Sequence, residues 1–260
     1  MTGLLTVVWA ESLKVRKSKM LWLSIIAALF MAIMMGFLMF IAKNPDLAGK
    51  MGLLGTKSSI MQNVDWPSYI GLLTQMISAL GLIGFGFLAS WVFGREYSDR
   101  TVKDLLALPF PRSYIVVSKF IVVAVWGILL SLLLLAASLL IGWLIGLTGG
   151  SNEILTHGVY AFTITALLTL LLTTPVAFFA SYGRGYLPPM GFVILTLVLG
   201  QFVVAVGLGP YFPWDIPGLY SVAASAGGSL PGAISYLILA LTCIIGLLAT
   251  YAWWRYADQH

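Results

Sequence analysis

"FGREYSDRTVKDLLALPFPRSYIVVSK", residues 93–119, gathers Arg95, Glu96, Asp99, Arg100, Lys103, Asp104, Arg112 and Lys119 into one internal stretch of a chain that is otherwise mostly apolar. On its two sides, residues 66–94 and 120–152 carry no charge at all. The whole sequence is 60% hydrophobic and only 9% charged, with a mean hydropathy of +0.99. A soluble domain carries about 25% charged residues, whereas a bilayer-spanning helix needs about 20 consecutive apolar ones. The stretch is therefore a polar loop between two membrane spans, and the chain is an all-α integral membrane protein. A transmembrane β-barrel would instead show alternating segments of about ten residues.

Cutting the sequence at its charges leaves six long uncharged runs: 20–42, 66–94, 120–152, 154–183, 185–214 and 216–254. Turn residues trim them, among them Gly149-Gly150, Pro188-Pro189, Gly209-Pro210 and Pro231-Gly232. The expected spans are about 20–42, 69–93, 116–147, 159–182, 190–208 and 233–254, in one domain over residues 1–260. Eleven of the fourteen Lys and Arg residues then lie on the side of the termini and the charged loop, and only Lys43, Lys50 and Lys57 on the other. The positive-inside rule puts both termini and the loop in the cytoplasm. Two segments are not expected to span. Residues 3–18 place Leu5, Val8, Trp9 and Leu13 on one helical face and Lys14 and Lys17 on the other, a pattern for a helix lying in the membrane interface. The N-terminus does not read as a cleavable signal peptide, because no small-residue cleavage site follows the first apolar run. Residues 209–231, apolar but broken by Pro and Gly, are expected to form short helices dipping into the outer leaflet, re-entrant between the fifth and sixth spans. Tyr211, Phe212, Trp214 and Tyr220 form an aromatic belt there, either as interfacial anchors or as a gate for release to the outside.

Within the loop, Thr101 and Asp104 fit a T-x-x-[DE] capping box that opens a short helix over Val102–Leu108, and Pro109 and Pro111 stop it. Leu105 and Leu108 lie three apart on one face, with Leu106 beside them. A solvated loop has no need of leucines at helical spacing, so the helix reads as a docking surface for neighbouring helices or for another subunit.

The order Glu96, Thr101, Leu105-Leu106, Pro109, Arg112, Lys119 resembles the loop between spans two and three of ABC transporter type-2 permeases, and the interface helix, six spans and short outer helices resemble that family over nearly the whole chain. The stretch "PYFPWDIPGLYS" is similar to the bacitracin-resistance and lantibiotic-immunity permeases. The resemblance implies that the loop helix is a coupling helix seated in a cleft of a separate ATPase. Glu96, Thr101, Leu105, Leu106, Pro109, Arg112 and Lys119 would then be coupling residues, and Asp104 joins them on the capping argument. It also implies two permeases (a homo- or heterodimer) and two ATPases per transporter, in a bacterial plasma membrane, with ATP and Mg held by the partner and no cofactor in this chain. Asp99-Arg100 departs from the family pattern, which often has glycine there.

The remaining chemistry is sparse. "GLLGTKSS", residues 52–59, lacks the glycine that a phosphate loop places directly before its lysine. The two histidines, His157 and His260, form no H-E-x-x-H, and no G-x-S-x-G occurs. One cysteine, Cys243, allows neither an internal disulfide nor a cysteine metal cluster and reads as a small buried residue. No acid falls within the expected spans, which argues against proton- or sodium-coupled secondary transport. Mildly polar residues remain: Thr74, Gln75 and Ser78 in the second span, Thr169 and Thr173 among the threonines of the fourth, and Gln201 in the fifth. They either line a substrate path or make hydrogen bonds between helices. The sequence reads as the non-enzymatic permease subunit of an exporter for an amphipathic or lipid-associated compound such as a peptide antibiotic. A sodium-extruding permease and a non-transporting scaffold that docks a cytoplasmic partner stand as alternatives.

Overall fold

The computed structural model describes residues 2–44, 64–102, 105 and 110–256. The described helices are α1 (Thr2–Arg16), α2 (Lys19–Lys43), α3 (Trp66–Ser98), α4 (Arg112–Ile145), α5 (Asn152–Leu171), α6 (Thr173–Tyr182), α7 (Leu187–Ala205), α8 (Ile216–Ala226) and α9 (Ala233–Tyr256). Two 3-10 turns, Gly209–Tyr211 and Pro213–Asp215, lead from α7 into α8. Six units are long and apolar enough to cross a membrane: α2, α3, α4, the α5–α6 pair, α7 and α9.

The helices run past the limits set by their charges, because hydrogen-bond capping rather than polarity ends them. α3 begins at Trp66, not at 69: Asp65 is its N-cap, accepting from the Ser68 N–H at 3.0 Å, with Pro67 in the first turn. At its other end α3 continues through Arg95 and Glu96 to Ser98. There the Arg100 N–H donates to the Tyr97 carbonyl and the Thr101 N–H to that of Glu96, with Arg100 in the left-handed region at φ 58°. That is a Schellman stop with arginine where glycine is usual. α4 likewise starts early, at Arg112, and ends at left-handed Gly146. Its last carbonyls, those of Ile145 and Gly146, accept from Lys43 Nζ at the end of α2.

The fourth span is not the continuous helix 159–182 expected; it starts at Asn152 and breaks between Leu171 and Thr173. Pro175 has no N–H to give to the Leu171 carbonyl. That carbonyl is taken instead by Cys243 Sγ at 3.3 Å, with the Thr174 hydroxyl 3.1 Å away. Gly246 lets α9 approach the break closely, since a Cβ there would lie 2.5 Å from Pro175 N. Cys243 is buried, as expected, and also serves as a donor to the kink. The fifth span is shifted, Leu187–Ala205 against the expected 190–208.

α3 forms the centre of the bundle. Leu73, Leu82 and Phe93 on it pack in one core with Phe162, Val176, Ala177, Val193 and Trp254 from the helices around it. α8 lies antiparallel along α3: a Cβ on Gly71 would lie 3.1 Å from Ser225, and one on Gly218 would lie 3.8 Å from Ser78. Ile216 and Ser221 of α8 are wholly buried. Gly142 of α4 gives way to the Trp66 ring of α3, so its role within the chain is close packing onto α3.

Candidate functional site

The strongest arrangement of chemistry lies at the roots of the charged loop, where it leaves α3 and enters α4. Lys119, about two turns inside α4, is completely buried. Its ammonium has three hydrogens and three acceptors: Val92 O at 2.8 Å, Glu11 Oε2 at 3.1 Å and Glu96 Oε1 at 3.1 Å. Lys14 closes the ring from α1, 2.6 Å from Glu11 Oε1 and 2.7 Å from Glu96 Oε1. Two carboxylates and two ammonium groups thus form a neutral cluster tying α1, α3 and α4 together. Neutrality is what makes the burial tolerable, since a buried charge without a partner costs several kcal/mol. Burial lowers the Lys14 pKa, but the charges of Glu11 and Glu96 outweigh it, and the net shift is upward. Glu96 Oε2 is buried without a hydrogen-bond partner among the described residues.

The local sequence explains how the side chains meet. Val7, Glu11 and Val15 recur at four-residue spacing and form the buried stripe of α1. Leu5 and Trp9 face outward, as an interface helix requires. Lys14, expected on the polar face of α1, turns inward to the acids. Across the loop, Arg112 Nη1 donates to the carbonyls of Trp254 (3.4 Å) and Arg255 (3.3 Å) at the C-terminal end of α9. Trp254 is itself anchored, its Nε1 donating to Ser181 Oγ at 2.9 Å and its ring set edge-on to Tyr97 at 5.9 Å. Both ends of the described chain therefore lie at the loop end of the bundle.

Glu96, Arg112 and Lys119, read from sequence as coupling residues, are thus brought to the roots of the loop and grip other helices of the same chain. Thr101 is exposed and its carbonyl accepts from the Leu105 N–H at 3.0 Å, the first turn of the expected short helix. Leu105 is half-buried against the core. Asp104, Leu106 and Pro109 lie outside the described residues.

The mildly polar membrane residues divide. Thr74, Thr169 and Thr173 are buried, and each hydroxyl donates to a carbonyl of its own or the adjoining helix. Gln75 and Gln201 are exposed, and Ser78 is half-buried beside Gly218. In the segment that joins α7 to α8, Tyr211 is exposed and Phe212 and Trp214 are half-buried; Tyr220, within α8, is buried. The rings of Phe212 and Trp214 are tilted at 5.3 Å, and Trp214 meets Phe192 of α7 edge-on at 5.4 Å.

Three residues that the geometry singles out were not read as site residues from the sequence. Glu11 and Lys14 sit in the interface helix, and an acid three residues before a lysine in an otherwise basic segment was the available signal. Asp215 is the one charged residue between Arg184 and Arg255, and a scan for isolated charges in apolar sequence would have found it. Among the described residues no group of three or more His, Cys, Asp or Glu side chains could hold a metal ion.

Comparison with known proteins agrees with this architecture. The chain is 28% identical over 189 residues to the bacitracin transport permease protein BCRB of Bacillus licheniformis, covering 71% of this chain and 88% of the relative. The family model described as "ABC-2 family transporter protein" matches residues 7–202, from the buried stripe of α1 through the loop and into α7. With five of the six spans and the ion-paired loop roots inside that match, the chain belongs to the ABC-2 transporter family, as a multi-pass membrane permease subunit.

Proposed function

We propose that this permease couples to a separate ATPase through the 99–111 loop and moves an amphipathic compound outward across a bacterial plasma membrane. The observation that carries the reading is the buried ring of Glu11, Lys14, Glu96 and Lys119. A subunit pressing on the loop cannot displace it without moving α1, α3 and α4 together, because each contributes a charge the others need. Arg112 adds α9 to the same unit. In this reading Thr101, Asp104, Leu105, Leu106 and Pro109 form the surface that meets the ATPase. Glu96, Arg112 and Lys119 transmit its movement rather than touching it. ATP and Mg belong to the partner.

The loop and both termini lie on the cytoplasmic side, supported by the eleven-to-three distribution of Lys and Arg. A second permease copy completes the path. Exposed Gln201 on α7 supports this, since an amide within a membrane needs a polar partner that its own chain does not supply among the described residues. Gln75 and Ser78 belong to the substrate path, while Thr74, Thr169 and Thr173 support it from behind. The segment from Gly209 to Ala226 is re-entrant, and its Tyr211, Phe212, Trp214 and Tyr220 gate release. A peptide antibiotic is the substrate class that the name of the B. licheniformis relative supports.

The test is a tagged pull-down from mildly solubilised membranes with ATPase activity assayed on the eluate. Wild type should bring down an ATPase, and Leu105→Asp should shed it. Glu96→Ala should keep the ATPase but lose the dependence of hydrolysis on substrate. Absence of any ATPase with wild type across several mild detergents overturns the reading and brings the scaffold and sodium-permease alternatives forward.

A further inference from the structure

Among the described residues Asp215 has no counter-ion. It is the single charged residue between Arg184 and Arg255, so α7, α8 and most of α9 offer it no cation, and a second copy meeting the chain through those helices adds none. Its Oδ2 is buried without a hydrogen-bond partner among the described residues, and so is the indole Nε1 of the adjacent Trp214. Its other oxygen presses on α7: a Cβ built on Gly200 would clash with Asp215 Oδ1, so only glycine permits this approach. The carboxylate lies well inside the bundle. Gly218, three residues on, faces Ser78, which is twelve residues into α3 from Trp66, or about 18 Å at 1.5 Å per residue. Aromatic residues adjoin it in the chain: the Asp215 N–H donates to the Phe212 carbonyl at 3.0 Å, and the ring of neighbouring Trp214 meets those of Phe212 and Phe192. The carboxylate is only half-buried, and the neighbouring Gln201 and Phe202 on α7 are exposed. The position can therefore be reached from that face of α7.

A carboxylate at this depth is costly unless something pairs with it, and intramembrane acids therefore mark ligand paths. Anions are repelled, and a neutral ligand leaves the charge desolvated and unpaired. A cation satisfies the free oxygen and also gains from the faces of the aromatic rings. We propose that Asp215, framed by Phe212 and Trp214, is the acidic subsite that takes the ammonium or guanidinium group of the transported amphiphile. The inference rests on the exporter reading and deepens it by assigning positive charge to the substrate.

The experiment measures equilibrium binding of radiolabelled tetraphenylphosphonium to the purified full-length permease in detergent, with tetraphenylborate as an anion of the same shape. Wild type should bind the cation saturably and at least tenfold tighter than the anion. Asp215→Asn should lose that preference, and Asp215→Glu should retain part of it. Gly200→Ala, which puts a methyl where Oδ1 sits, should weaken cation binding with the charge intact. Monodisperse elution of each variant establishes that it is folded. Equal binding of both ions by wild type, no saturable cation binding, or an unchanged preference in Asp215→Asn would each overturn the proposal. None of these results bears on the ATPase pull-down with wild type, so the subsite and the exporter reading fail separately.

Discussion

Replacing Lys119 with Met keeps the length and apolar stem of the side chain but removes the buried ammonium. The charge interacts with two carboxylates at 3.1 Å each. At an effective dielectric of 20, each such contact is worth about 5 kcal/mol in Coulomb energy. Desolvation of the ions offsets much of this, and removing one partner from a buried network costs about 3–5 kcal/mol net because an uncompensated charge is left behind. After the change, Glu11 and Glu96 share only Lys14, which is part-exposed and sits on Oε1 of each acid. The assay is thermal unfolding in a fixed detergent, read by tryptophan fluorescence, for Lys119→Met, Glu11→Gln and the double variant. Each single change should lower stability by about 3–5 kcal/mol. The double variant restores neutrality, so it should lose at least about 1.5 kcal/mol less than the sum of the two. If the two effects simply add, or if Lys119→Met lies within about 0.5 kcal/mol of wild type, the charges are not acting as one unit and the proposed transmission through the loop roots loses its basis.

Three further outcomes follow from particular contacts. Arg100 holds φ 58° at the end of α3, so Arg100→Gly should stabilise by about 0.5–1 kcal/mol, Arg100→Ala should be near neutral and Arg100→Val should destabilise; thermal unfolding that shows the reverse order refutes the Schellman assignment. Gly246→Ala places a methyl against the backbone of Thr174 and Pro175, which cannot yield, and should cost about 1–3 kcal/mol; Gly84→Ala, with nothing within 4 Å of the new Cβ, is the control that should leave the melting temperature unchanged or higher. Burial pushes the Asp215 carboxyl up from 3.8 to about 6, so the stability this group contributes is fully present below about pH 3.8 and is lost as pH rises through about 6. Asp215→Asn should therefore melt above wild type at pH 7 with the gap narrowing toward pH 4, and parallel melting curves across that range would refute the burial of this carboxyl.

The membrane class, the six spans and the charged loop were legible because each depends on runs of residue type, and the cost of placing charge or free backbone in hydrocarbon leaves few alternatives. The approximate ends of the helices were legible for the same reason, but their true ends were not. α3 runs on through Arg95 and Glu96 because its hydrogen bonds close only at the Arg100 turn. Pro175 signals the break near Leu172 in the sequence, but that Cys243, some seventy residues on, satisfies the freed Leu171 carbonyl is known only from the fold.

The candidate site divides along the same line. Sequence spacing picked out Glu96, Arg112 and Lys119 as special without showing what they touch. Tertiary structure decided that Glu96 and Lys119 pair with each other and with Glu11 and Lys14, and that Arg112 caps α9. It likewise divided the mild polar residues, closing Thr74 and Thr169 inside the bundle and leaving Gln75 and Gln201 on its surface. Transfer from water to lipid is a property of each segment by itself, so the sequence alone determined that this chain crosses the membrane and roughly where. Pairing of charges is a property of distances between segments far apart in the chain, from Glu11 to Lys119 and from Gly200 to Asp215, and only the folded bundle sets those.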